Sequence, residues 1–340
     1  MLELPRAVVW QDNQLFLLDQ TLLPGKEELF HCNTIETVFS AIQALKVRGA
    51  PAIGIAAAYG LSVGLEQSVP LSELEGRAGY LISARPTAVN LAWAVERVLA
   101  TARLSAKQGV VAIEVLHSEA LAIHEEDRRS CSAIGDHGLD LIKDKTKLLT
   151  HCNAGSLAVS EYGTALAPIY RAHERGIKLH VFVDETRPLL QGARLTSFEL
   201  SRHGVDHTLI TDNMAAHVMS QGKVDAVIVG SDRVARNGDV ANKIGTLNLA
   251  ILCNHFQLPF YVACPTSTVD TTTADSSEIE IETRHSDEVR AFGGIPTSLP
   301  ETSVYNPAFD VTPASLVTAI ITERGVVHRP NETKILQHMS

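Results

Sequence analysis

From Lys147 to Pro265 the sequence alternates short β-branched runs with stretches of helical spacing, and this rhythm restricts the fold more than any other feature. The runs are KLLTH, KLHVFVDE, HTLITD, DAVIVGS and PFYVACP. Between them, helices are expected near Ala165 to Glu174, Gly192 to Arg202, Met214 to Ser220 and Thr246 to His255. Continuous apolar strands separated by helices predict a parallel sheet covered on both faces, a Rossmann-like open α/β domain. Upstream, VVW and QLFLLD separated by QDN predict a short hairpin, and helical spacing then dominates through TVFSAIQALKV, AAAYGLSVGL and AVNLAWAVERVLATARL. A further helical run from Ala112 to about Ile142 contains no Pro and predicts a link between two domains. The expected fold class is α/β: a small, mainly helical α+β domain over residues 1–125, then a Rossmann-like, mostly parallel sheet domain over 126–340.

Each predicted strand is followed by residues able to do chemistry. These are Cys152 and Asn153; Asp184, Glu185 and Arg187; Thr211, Asp212 and Asn213; Ser231, Asp232 and Arg233; and Cys264, Thr266 and Ser267. Open α/β sheets bind ligands beyond the carboxyl ends of their strands, so this half of the chain is expected to hold an active site. Cys152 precedes Asn153-Ala154-Gly155, read as a sharp turn into a helix, where a thiol is activated; a small buried core thiol fits the same residues. Asp232 reads as a general acid or base, or as an acid paired with Arg233 or Arg236.

Three helix openings have the composition of an anion site. Arg48, Gly49 and Ala50 lead through Pro51 into an Ala-rich helix, where free N–H groups, close backbone approach and a guanidinium coincide. A tightly packed core helix with a Pro start fits equally well. Arg85 opens a second helix through Pro86 and Thr87, and Asn242-Lys243 precede a third at Gly245-Thr246.

Composition removes several function classes. A net charge of −10 without basic blocks disfavours nucleic acid as a partner. Neither G-x-G-x-x-G nor G-x-x-x-x-G-K-[ST] occurs, and the 14 histidines show no H-E-x-x-H spacing, so no nucleotide cofactor and no metal are expected. The 5 cysteines include no C-x-x-C pair, which reads as reduced thiols in the cytoplasm. No signal peptide is read at the N-terminus, and the stretch from Ala52 to Leu65 is too short and too Ala/Gly-rich to span a membrane.

The segments KVRGAPAIGIAAAYG, ARPTAVNLAWAV, THCNAGSLA, VDETRPLLQGARLT, ITDNMAA, VDAVIVGSDRVARNGDVANKIGT and PFYVACPTSTVD resemble those of the methylthioribose-1-phosphate isomerases. These belong to a larger family that includes regulatory subunits of a translation-initiation exchange factor. The resemblance implies that Cys152 and Asp232 are the catalytic pair, and that Arg48, Gly49, Ala50, Arg85, Gln191, Asn242 and Lys243 contact the substrate. It also implies a homodimer and a cofactor-independent isomerase that opens a sugar 1-phosphate ring and moves hydrogen from C2 to C1. The chain departs from the usual pattern at Ser156, Ser231 and Thr21, none of them a catalytic position. These departures leave the group on C5 of the sugar open: methylthio, deoxy or phosphate. A non-catalytic subunit and a nicotinamide-dependent oxidoreductase are the readings from other classes.

Overall fold

The computed structural model describes residues 3–85 and 88–340. The chain divides into two compact units. The smaller comprises Leu4–Ser132 and Gly155–Gly163; the larger comprises Ala133–Ala154 and Thr164–Ser340, together with Glu3.

The smaller unit begins with an antiparallel meander, β1 (Val8–Gln11), β2 (Gln14–Leu18) and β3 (Leu29–Cys32). Asp12 and Asn13 both take positive φ, as a two-residue turn with the hand of a twisted hairpin requires. Helix α1 (Ile35–Gln43) is started by a reciprocal capping box between Thr34 and Thr37. Helix α2 (Ala50–Gly60) is apolar all round, and every residue from Ala52 to Gly60 is buried, so it forms the centre of this unit. Burying Ile53 and Ile55 there is worth about 1.5–3 kcal/mol each. The remaining elements are β4 (Ser68–Pro70), α3 (Leu71–Ile82), α4 (Val89–Ser105) and β5 (Val110–Ala112), with β4 and β5 paired antiparallel. Trp10 stacks on Tyr59 of α2 at 4.7 Å between ring centroids. Helix α5 (Ile113–Ile142) is 30 residues long and carries the chain from one unit into the other.

In the larger unit the elements run β6 (Lys147–Thr150), α6 (Ala167–Glu174), β7 (His180–Asp184), α7 (Ser197–His203), β8 (His207–Ile210), α8 (Ala215–Ser220) and β9 (Ala226–Val229). After β10 (Arg233–Ala235) and β11 (Val240–Lys243) come α9 (Thr246–Phe256), β12 (Phe260–Ala263) and β13 (Val269–Asp270). Helix α10 (Asp287–Arg290) leads to the hairpin β14 (Ala291–Phe292) and β15 (Ile295–Pro296). The chain ends with β16 (Phe309–Thr312), β17 (Ala319–Thr322), β18 (Gly325–His328) and α11 (Glu332–Met339). The main sheet has seven strands in the order β18-β17-β12-β9-β6-β7-β8, all parallel except β18. Every residue of β9, β12 and β17 is buried, which matches their unbroken apolar sequences. A second sheet has the order β13-β10-β11-β16. This is the expected Rossmann-like class.

From β6 the sheet grows outward through β7 and β8. The chain then returns to the other side of β6 and grows the opposite way through β9, β12 and β17. The gap between the carboxyl ends of β6 and β9 is therefore the topological switch point, where such sheets bind ligands.

Candidate active site

Cys152 stands two residues past the end of β6 and Asp232 three past the end of β9, on the two sides of the switch point. The ends of these strands approach closely: a Cβ on Gly230 would lie 2.8 Å from Cβ of Ala154. All five polar strand ends expected from sequence fall on the same edge, because the five strands are mutually parallel.

Cys152 is buried and takes a left-handed backbone conformation, φ +60°. Its N–H donates to Oγ1 of Thr186 at 2.8 Å, and its carbonyl accepts from Oγ1 of Thr196 at 2.6 Å. Thr186 is itself left-handed, φ +65°, an unusual state for a β-branched residue. Such residues cost about 1–3 kcal/mol each and persist where surrounding bonds over-determine them. Here Thr186 donates to the carbonyl of Asp184, while Asp212 accepts from the N–H groups of Thr186 and Arg187, each at 2.7 Å. Asn153 donates to Oε1 of the fully buried Glu199 at 2.8 Å, and Tyr170 donates to Oε2 at 3.0 Å.

Thr196 reaches Cys152 because the helix expected from Gly192 starts differently. Gly192–Thr196 form a π-helical turn, and the α-helix begins only at Ser197. The wider turn places Gly192 against the end of β7, where a Cβ would come 1.7 Å from the carbonyl oxygen of Asp184. Gln191, just before it, is buried, and its Oε1 has no hydrogen-bond partner among the described residues.

The turn after Cys152 also departs from expectation. Asn153-Ala154-Gly155 leads into a single 3-10 turn, Ser156–Ala158, and the next α-helix starts at Ala167. The chain first passes into the smaller unit over Gly155–Gly163, so Cys152 does not sit at an α-helix N-terminus. Asp232 is exposed, and its N–H donates to the carbonyl of Ala241 at 3.0 Å. The neighbouring arginines pair elsewhere: Arg233 lies 3.6 Å from Asp270, and Arg236 lies 3.0 Å from Glu332.

Asn242 and Lys243 end β11, immediately before α9. Asn242 donates to Oγ1 of Thr246 at 2.9 Å, and Lys243 reaches the carbonyl of Ala308 at 3.1 Å and the Phe309 ring at 4.4 Å. In the smaller unit, Gly49 caps α2 with φ +87°, and a Cβ there would lie 2.3 Å from the carbonyl oxygen of Ala158. Only glycine fits that approach. Arg48, Ala50 and Arg85 are half-buried. Pro86 and Thr87 lie outside the described residues, and α4 begins at Val89.

Sequence reasoning passed over His151, Thr186, Thr196, Glu199 and Asp310. His151 is 2% exposed, with Nδ1 3.1 Å from Oδ2 of Asp184 and Nε2 2.8 Å from the carbonyl of Ile244. Its donor atoms, with those of Asp184 and Asp212, lie within 4.8 Å of one another, close enough to surround a cation. Asp212, however, already receives two N–H groups, and one proton between Nδ1 and Asp184 balances the remaining charge.

A thiol and a carboxylate flanking the switch point of an open sheet, in a chain without a glycine-rich dinucleotide loop, define a Rossmann-like small-molecule protein. The pattern of the Initiation factor 2 subunit family matches residues 46–329, and the chain belongs to that family. A Bacillus pumilus protein named methylthioribose-1-phosphate isomerase is 51% identical over 331 residues, 96% of this chain and 94% of its own. A Moorella thermoacetica protein named 5-deoxyribose 1-phosphate isomerase is 53% identical over 335 residues, 96% of this chain and 95% of its own. The crystal structure of 5-methylthioribose 1-phosphate isomerase from Pyrococcus horikoshii superposes with a TM-score of 0.92 at 39% identity, covering 99% of this chain and 96% of that one.

Proposed function

We propose that the chain is an aldose–ketose isomerase that converts 5-methylthioribose 1-phosphate to 5-methylthioribulose 1-phosphate without a cofactor. The observation that carries this reading is the placement of Cys152 and Asp232 on either side of the switch point. In an aldose 1-phosphate the anomeric oxygen is esterified, so no free aldehyde is available. The ring must open by protonation of its oxygen, with cleavage of the C1–O bond. Hydrogen then moves from C2 to C1, and the C2 hydroxyl loses its proton to become the ketone. Asp232 is the proposed acid, and general acid help of this kind is worth about 10²–10⁴-fold.

Asp232 is exposed, and its role as the acid requires that it carry a proton when the substrate binds. Cys152 either takes the C2 proton in an enolate route or stabilises charge during a direct hydride shift. We place the substrate contacts at Arg48, Gly49, Ala50, Arg85, Gln191, Asn242 and Lys243. The buried, partnerless Oε1 of Gln191 supports its role, as an acceptor for a sugar hydroxyl.

The name of the Moorella thermoacetica relative supports a second reading, 5-deoxyribose 1-phosphate as the main or additional substrate. A non-catalytic subunit of the same fold would need neither the thiol nor the carboxylate at the switch point. No helix among the described residues is long and apolar enough to cross a membrane. From the family resemblance we infer a homodimer in the cytoplasm, and sedimentation of the purified protein tests the dimer.

The decisive experiment is a phosphorus NMR time course with each sugar phosphate, using the wild type beside Cys152→Ala and Asp232→Asn. Conversion by the wild type is expected to fall at least about 10²-fold in both variants. Folded wild-type protein that turns over neither sugar rejects the isomerase. Deuterium at C2 separates the routes: label retained at C1 of the product supports the hydride shift, and loss to water supports the enolate.

A further inference from the structure

His151 has no part in the chemistry above, yet it is buried and its ring is held on three sides. Nε2 faces the carbonyl of Ile244 at 2.8 Å, and because a carbonyl only accepts, Nε2 carries a proton. Nδ1 faces Oδ2 of Asp184 at 3.1 Å, so a second proton lies between those two atoms. The ring also lies against Gly245, where a Cβ would come 2.8 Å from Cε1. Gly245 has φ +104°, which leaves the position to glycine. From the other side Asp310 accepts from the N–H of Gly245 at 2.7 Å and of Leu247 at 3.1 Å. The segment between β11 and α9 is thus suspended from two side chains, one of them His151, just past the end of β6 and next to Cys152.

We propose that His151, paired with Asp184, is a positioning residue that locks the Asn242–Gly245 segment to the strand end bearing Cys152 and so orders Asn242 and Lys243 for the substrate. The isomerase reading above enters only as the identity of the ligand that this segment meets.

The pairing makes the lock sensitive to pH. Burial opposes a charge on His151, but its hydrogen bond to the Asp184 carboxylate and the nearby charge of Asp212 outweigh burial and raise its pKa above the ordinary histidine value. Asp310 is the other acid bearing on the ring, and Glu185 acts on Asp184. A raised histidine loses its stabilising contribution as pH rises through its folded value, and because burial pushes Asp184 up to about 6, the ionised pair also gives way as pH falls below that. Above the histidine's folded value a lone pair on Nδ1 faces a carboxylate.

The test uses the full-length chain, His151→Ala and Asp184→Asn. In Asp184→Asn the amide donates to a neutral Nδ1, so the pair stays complete at every pH. Nitrogen-15 NMR of labelled histidine in the wild type is expected to show both ring nitrogens of His151 protonated near neutral pH. Exchange of the Gly245 and Leu247 amides should accelerate at least about tenfold in His151→Ala, as expected when a buried bond is removed, and stay near wild type in Asp184→Asn. KM should rise about tenfold in His151→Ala with a smaller change in kcat, in keeping with lost binding contacts. The rise of the wild-type KM toward alkaline pH should flatten in Asp184→Asn. Wild-type exchange and KM in His151→Ala, or a His151 ring with a single proton at neutral pH, would overturn the proposal. If His151→Ala does not fold, the wild-type spectrum and the Asp184→Asn pH profile decide. If the wild type turns over neither sugar phosphate, the isomerase reading falls, and the exchange data still decide the positioning role.

Discussion

Thr186 shows how much of the candidate site depends on single atoms. Its hydroxyl accepts from the N–H of Cys152 while both residues hold left-handed backbone. Thr186→Val keeps the shape and leaves that buried N–H without an acceptor, which should destabilise the chain by about 1–3 kcal/mol. Thr186→Ser should recover most of that loss, as read from urea unfolding midpoints and isomerase turnover together. Two glycines are equally unforgiving. A methyl group on Gly192 would lie 1.7 Å from the Asp184 carbonyl oxygen, and one on Gly49 would lie 2.3 Å from that of Ala158 at a positive φ. Either alanine variant should cost about 1–3 kcal/mol or more in chemical denaturation, because backbone on the far side cannot yield as a side chain would. The places of Cys152 and Asp232 just beyond the ends of β6 and β9 were legible from sequence because apolar strands precede them. Thr186, Thr196 and Glu199 were not, since ordinary hydroxyls and acids acquire a role only when the end of β7, the π turn and α7 bring them to Cys152 and Asn153. His151 was hidden differently: it reads as the last residue of KLLTH, and its partners lie 33 and 93 positions away.

Among the elements, β6, β7, β9 and β12 were predicted because buried parallel strands read as near-continuous apolar runs, and β8, an edge strand that leaves Thr208 and Leu209 exposed, was predicted from the same alternation. Strands β17 and β18 escaped notice: four-residue runs joined by a tight turn depart from the strand–helix alternation. Helix α3 was missed because Gly76 and Gly79, on its open face, lower its helix propensity, although its buried stripe of Leu74, Ala78 and Leu81 is intact. The second sheet was missed for another reason, since RVA and VANK are too short to show a period. Helix α9 offers a test at this scale. Its first turn is capped from β16 by Asp310, not by its own N-cap residue, which is Gly245. Asp310→Ala should therefore cost about 0.5–2 kcal/mol, as the loss of a conventional cap would. The same variant should speed amide exchange in the first turn of α9 while leaving that of α6 unchanged.

At the scale of the whole molecule, the two tryptophans of the chain, Trp10 and Trp93, both lie in the smaller unit. Their fluorescence reports that unit, while far-ultraviolet circular dichroism reports both. His117 packs edge-on to Trp10 at 4.9 Å, and His124 meets the hydroxyl of Tyr59 at 3.2 Å. Burial lowers the pKa of each below the ordinary histidine value. A lowered histidine must take up a proton on unfolding, so stability is lost as pH falls from about 6.5 through the folded values. The fluorescence-detected urea midpoint should therefore fall between pH 7 and pH 5, and His124→Gln should reduce that fall. The excursion of Gly155–Gly163 into the smaller unit has a consequence for synthesis. A ribosome that has released residue 132 has not yet supplied the strip of backbone against which Gly49 rests. The smaller unit is complete only after the first strand of the main sheet and Cys152 have left the exit tunnel. No single cut in the gene yields either unit whole.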